Sequence, residues 1–340
     1  CPLLMIAASL VAYFYHPIPV LLICLFVMGF AVGGEYSLDS DYISELMPNR
    51  WKLFMVGTAK ASASLGGAIV ATACFFLIKS WDKASPWPNL LFIITAIAGL
   101  MLLLRIRFAQ SPGWLMSKGM TAKAEQSVKY FLGSDAVMTA STDKASPDSD
   151  ESMGDFLKRN AKKLVFSGVP WACEGLGVYG IGIFLPILIM ALGIDNLPPH
   201  ATQIDHIVNS VELTIWLSII MMVGFMAGLL LLNKLYHVSM QSWGFFLSAA
   251  GLALLLVAYK LHWASWTAIT GFMIFELFLN AGPHLITFIL PARIYPVADR
   301  GTGVGASAAI GKMGAVAGAF FIPVLLRWGG STLVLLVSIA

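Results

Sequence analysis

IPVLLICLFVMGFAVGGEYSLD, residues 18–39, runs without a charge from Ile18 to Gly34 and then carries Glu35 and Asp39 on what reads as the same segment. A helix needs ~20 mostly apolar residues to cross ~30 Å of hydrocarbon. The stretch is therefore a membrane span with carboxylates built into it. A charge at mid-depth costs ~2.5–3.5 kcal/mol on insertion scales, so such residues are retained mainly where they act or hold a partner. Outward from it, comparable stretches lie at 2–15, 53–79, 88–108, 163–193, 208–235, 241–259, 265–290, 301–326 and 330–340. All are expected to be helices, because backbone facing lipid must satisfy its own hydrogen bonds. The fold class is an all-α membrane protein.

Composition agrees: hydrophobic residues make up 58% of the chain and charged ones 11%, the balance of a chain dissolved in lipid. A net charge of +3 without a basic cluster argues against nucleic acid as partner. Cys1, Cys24, Cys74 and Cys173 lack metal-ligand spacing and read as free thiols. No HExxH, GxSxG or GxxxxGK motif occurs, so neither a hydrolase nor an ATP-driven machine is indicated, and no cofactor or metal is expected.

Between the fourth and fifth spans, residues 109–162 are polar and carry STDKASPDSDES at 141–152. That composition predicts a solvated, partly disordered loop. It divides the chain into an amino-terminal bundle at 1–108 and a carboxy-terminal bundle at 163–340. With this loop on the cytoplasmic side, fifteen Lys and Arg residues fall at cytoplasmic ends and four at opposite ends, with Lys60 and Lys312 inside the membrane. The positive-inside bias selects that orientation, in an inner or plasma membrane. A repeat also appears at an offset of 248 residues: Gly34, Pro48, Lys52, Gly57, Ala61 and Gly66 align with Gly282, Pro296, Arg300, Gly305, Ala309 and Gly314. Parallel repeats of this kind are a transporter architecture, with the substrate site near the midplane between the halves.

Several motifs carry a family resemblance. Gly33 to Tyr36 with Ile43 to Glu45, Pro48 and Lys52; SPGWLMSKG at 111–119; and PARIYP at 291–296 with DRGTGVG at 299–305 together resemble the major facilitator superfamily along essentially the whole chain. Within it, the sequence is most similar to the phosphate:proton symporters and sugar-porter-like metabolite transporters. Trp171, Tyr179, Gly180, Phe184 and Pro186 fit the seventh-helix spacing of the phosphate group. Its tenth-helix AsnxGlyProAsn pattern reads NAGPH at 280–284, and GKMGA at 311–315 resembles its eleventh-helix lysine. The group's seventh-helix Asp would fall on Gly175, with Glu174 one place earlier, and its Asp-Tyr pair reads Glu35-Tyr36. The resemblance implies a two-bundle fold of six plus six helices. About ten are present here, so the first two and part of the last would lie outside this sequence, which begins with Cys1 and stops inside an apolar run.

Each intramembrane polar residue has a functional and a plainer reading. Glu174 lies ~16 Å into its span by helical rise, where a carboxyl group can load a proton from one side and lose it to the other; a structural hydrogen bond is the alternative. Glu35 and Asp39, four apart on one helix face, are candidates for proton coupling with Tyr36 as a ligand contact. Their alternative is a gate latch to Lys52, Arg300 or Lys60. Lys312 is a mid-depth ammonium that would neutralise an anionic substrate or pair with Glu276 or Glu174, and Glu276 reads as a structural partner. Lys60 is near enough to its helix end to snorkel. Asn280 and His284 are candidate substrate contacts around a GlyPro break, or helix glue. Trp171 and Tyr179 offer an indole and a phenol to a polar solute, or pack. Gly29 with Gly33, Gly224 with Gly228 and Gly314 with Gly318 have GxxxG spacing for close helix packing.

These residues predict a secondary active transporter: proton-coupled symport of a small anionic or polar metabolite by alternating access, acting as a monomer in the lipid bilayer. A passive facilitator of a neutral solute such as a sugar, and a non-transporting solute sensor, are the alternatives.

Overall fold

The computed structural model describes all residues except 48, 81–87, 107–109, 118, 133–151, 192–197, 199–200 and 297–298. Side chains are also outside the description at 36–41, 44–46, 49–50, 52–53, 113–114, 117, 131–132, 183–187, 189–191, 203 and 300. Tyr36 and Asp39 are therefore placed on a helix, while their side chains lie outside the described residues.

The chain folds into helices α1 (Pro2–Phe14), α2 (Ile18–Leu46), α3 (Asn49–Lys79), α4 (Pro88–Arg105), α5 (Pro112–Ser117), α6 (Thr121–Leu132), α7 (Met153–Arg159), α8 (Ala161–Ala191), α9 (Gln203–Leu231), α10 (His237–Lys260), α11 (Ser265–Ala281), α12 (Pro283–Ile294) and α13 (Arg300–Ile339). Among the described residues eight segments are long and apolar enough to cross a membrane, and α11 and α12 form one of them across a break. Proline in the first turn starts α1, α2 and α12, where its missing N–H costs nothing. At the start of α9, Thr202 and Asp205 cap each other reciprocally. The stretches expected as separate spans at 301–326 and 330–340 lie in α13, which turns at Gly330 with φ 63 and ψ −167. That conformation is open essentially to glycine alone, so the sequence break lies where the backbone needs it.

The contacts group the chain into two compact units. One comprises Cys1–Val56 and Ser80–Lys144. Here α1 lies along α4 and α2, burying Ala8, Ala12, Cys24 and Met28, and Ser9 Oγ meets Thr95 Oγ1 at 2.7 Å. Phe26 and Phe30 on α2 are exposed. The other unit comprises Gly57–Lys79 and Ala145–Ala340. In it α8 runs along α13 and α10 along α11, around a core that includes Ile181, Leu252, Leu255, Phe275 and Ile322.

Residues 109–162 differ from the loop expected of their composition. They contain α5, α6 and α7, while most of the Ser/Asp-rich stretch lies outside the described residues. The reason is a local apolar face: Ala124 and Val128 of α6 are buried with Leu115 of α5, and Ser127 Oγ donates to the Gln110 carbonyl at 2.6 Å. In the second unit, α7 starts at the Ser152 cap and buries Phe156 against Leu164 and Tyr295. Arg159 donates to both carboxylate oxygens of Asp299 at 3.0 and 3.2 Å.

Candidate functional site

The second unit gathers most of the sequence-predicted polar residues on α3, α8, α11, α12 and α13. Counted from the helix ends beside the α7–Asp299 contact, Glu174 is ~20 Å along α8, His284 ~15 Å along α12 and Lys312 ~18 Å along α13 at ~1.5 Å per residue. The three lie within about one helical turn of one another along their helices.

Close packing of α8 on α13 fixes where these side chains point. A Cβ on Gly314 would lie 2.0 Å from the Ala172 carbonyl oxygen, and one on Gly175 would lie 2.6 Å from the Gly311 carbonyl oxygen. No side chain fits at 175 without separating the helices. A carboxylate at 175 would collide with α13, and Glu174, one place earlier, avoids the seam. Trp171 is buried at the same seam, under Gly311 and edge-on to Phe288 with centroids 6.4 Å apart.

Glu174 is 2% exposed. Its Oε1 lies 3.5 Å from His284 Nε2 without completing a hydrogen bond, and it has no hydrogen-bond partner among the described residues. The charges of Lys60 and Lys312 both act on Glu174 and on His284. Lys60 Nζ sits 5.8 Å from the centroid of the Phe288 ring, turned toward this cluster. Lys312 Nζ donates to Tyr179 Oη at 2.6 Å. His284 also packs its ring on Phe225 of α9 at 5.1 Å.

Behind His284 runs a polar row. Asn280 Nδ2 donates to the Glu276 carbonyl oxygen at 2.7 Å and to Glu276 Oε2 at 3.1 Å, and Asn280 Oδ1 lies 2.9 Å from His284 Nδ1. The row crosses the joint between α11 and α12, where Gly282 has φ −118 and ψ −89 and Pro283 has no N–H to offer the preceding turn. Asn280, His284 and Glu276 are all buried. The structure thus engages Asn280 and His284 with each other, and gives Glu276 a place in the row that sequence reasoning did not. The missed signal was spacing: residues 276, 280 and 284 are successive steps of four on one helical face.

Glu35 belongs to the first unit. Arg105 grips it with both terminal guanidinium nitrogens, Nη1 donating to Oε1 at 2.7 Å and Nη2 to Oε2. This partner on α4 was not among those expected, and the side chains of Lys52 and Arg300 lie outside the described residues. Of the GxxxG pairs, Gly224 and Gly228 sit against the Leu277 and Ala281 carbonyls and Gly314 and Gly318 against α8, whereas a Cβ on Gly29 or Gly33 would meet nothing within 4 Å among the described residues.

Comparison with known proteins agrees with this architecture. The sequence profile of the family described as Sugar (and other) transporter matches residues 1–337. The chain is 25% identical over 313 residues to the inner membrane metabolite transport protein YgcS of Escherichia coli K12, covering 92% of this chain and 66% of that protein. It is 24% identical over 329 residues to the low affinity inorganic phosphate transporter 3 of Petunia hybrida, covering 87% and 60%. The chain thus spans under two thirds of the length of these relatives. Its fold is similar to that of the major facilitator superfamily proton:xylose symporter XylE, with a TM-score of 0.70 at 18% identity over 99% of this chain and 76% of that one. These are transporters and not enzymes, and with a family match over nearly its whole length, the chain is a multi-pass membrane protein of the sugar (and other) transporter family, in the major facilitator superfamily.

Proposed function

We propose that this chain is the larger part of a secondary active transporter that moves a small anionic or polar metabolite together with protons by alternating access. The observation that carries the reading is Glu174, a buried carboxyl group with one oxygen lacking a hydrogen-bond partner among the described residues, opposite His284 and in the field of two ammonium groups. A buried carboxyl group in that setting is suited to take up and release a proton, because an unpaired charge there is costly. Lys312 and Lys60 supply positive potential for an anionic cargo, and Tyr179, held by Lys312, presents a phenol beside them. Tyr36 and Asp39 remain candidate contacts of the first unit. Glu35, with both oxygens engaged by Arg105, is better suited to anchor α2 on α4 than to carry protons. The names of the relatives support the cargo class: one is called a metabolite transport protein and another an inorganic phosphate transporter. The family's description as sugar (and other) transporter favours a second reading, a neutral sugar as cargo. The membrane is the inner or plasma membrane, with residues 109–162 cytoplasmic, and the protein works as a monomer.

The test uses the full-length protein. A thermal-shift screen against small anions and sugars at two pH values identifies the cargo, and its uptake into proteoliposomes is followed with and without a protonophore. Proton-coupled symport predicts that concentrative uptake disappears with the gradient. Accumulation that survives collapse of the proton gradient overturns the reading.

A further inference from the structure

Asn280 has one orientation compatible with its neighbours. The Glu276 main-chain carbonyl can only accept, so the amide nitrogen must face it, and the amide oxygen faces His284 Nδ1. An amide oxygen can only accept as well. His284 Nδ1 therefore carries hydrogen, and when the ring is neutral the lone pair is on Nε2, which lies 3.5 Å from Glu174 Oε1.

We propose that Asn280, itself oriented by Glu276, is a positioning residue that locks His284 in the Nδ1–H tautomer, so that His284 Nε2 and Glu174 Oε1 share one exchangeable proton. The proton-loading group is then the pair. The shared proton sits on Glu174 beside a neutral ring, or on Nε2 beside a carboxylate, and one proton leaves when the pair unloads. In the opposite tautomer an N–H would face Glu174, and the ring would have no lone pair with which to take the carboxyl proton. The ionisable groups bearing on the pair are Glu276 along the row from α11, Lys60 from α3 and Lys312 from α13; α9 contributes the Phe225 ring. The lock rests on the proton-coupled reading for its purpose, but the tautomer is a property of the resting protein and is measured without any cargo.

The experiment is nitrogen-15 NMR of the full-length protein with histidine side chains labelled, titrated toward alkaline pH, with the His284 signals assigned by their loss in His284→Gln. The expected deprotonated form of His284 has Nδ1 protonated and Nε2 bare. Asn280→Asp, whose carboxylate still accepts from Nδ1, keeps that form, and Asn280→Leu gives a mixture of tautomers. A native spectrum with Nε2 protonated and Nδ1 bare, or with both nitrogens protonated throughout the alkaline range, overturns the lock even if the variants fail to fold. An unchanged single tautomer in Asn280→Leu also overturns it. If the lock holds and uptake ignores the proton gradient, the coupling reading fails alone.

Discussion

Glu35 and Glu174 look alike in sequence, each an isolated carboxylate following a long apolar run, yet their surroundings separate them. Glu35 has a guanidinium on both oxygens, and Glu174 has an open oxygen facing a histidine. Removing the guanidinium in Arg105→Ala leaves a buried carboxylate without this partner. Breaking a fully buried pair costs about 3–5 kcal/mol, but the Arg105 side chain is 40% exposed, so solvent screening brings the expected loss to about 1–2 kcal/mol. Glu35→Gln should cost less than Arg105→Ala, and thermal unfolding in detergent measures both. Equal losses would contradict the anchoring role. The places of Glu174 and Lys312 along their helices were legible from counting residues into their spans. The partner of Glu35 was not, because Arg105 lies 70 positions away on a helix whose rotation no local pattern reports. Asn280 and His284 were read together from their spacing, whereas Glu276, four residues before Asn280, was read as a partner for Lys312 and its place in the row went unread.

Helices supply the next contrast. GxxxG spacing marks two seams that the structure builds and one that no described residue closes, because spacing reports which residues share a face and not what lies opposite. Gly314→Ala would drive a Cβ to 2.0 Å from the Ala172 carbonyl and should destabilise the α8–α13 seam by about 1–3 kcal/mol. Gly29→Ala meets nothing within 4 Å among the described residues and should be neutral or mildly stabilising, since alanine favours the helix by about 0.5–1 kcal/mol. Unfolding midpoints of the two variants check this, and a larger loss at Gly29 would refute it. The short α7 allows a similar comparison. Its Arg159–Asp299 pair is half exposed on the arginine side and should contribute about 0.2–1 kcal/mol in a double-mutant cycle. Phe156→Ala, which empties a buried site under Tyr295, should cost about 3–5 kcal/mol. Composition hid this helix and α6, because a polar average conceals a few apolar residues at helical spacing.

At the scale of the molecule, length, hydropathy and the motif set were sufficient for the all-helical class and the superfamily, since lipid leaves a spanning segment so few options. They were insufficient for the site, because which polar side chains meet depends on how each helix is rotated about its axis, and that is decided by seams such as Gly175 on Gly311. The central claim is that proton binding at the Glu174–His284 pair drives transport, and the measurement that tests it most directly is cargo-evoked proton uptake by proteoliposomes holding the full-length protein, compared with Glu174→Gln. The account predicts that the native protein takes up protons with cargo, and that Glu174→Gln loses concentrative uptake by at least about tenfold, a change of about 1.4 kcal/mol, while still exchanging cargo across the membrane. Concentrative, proton-linked uptake at native rates by Glu174→Gln would contradict it.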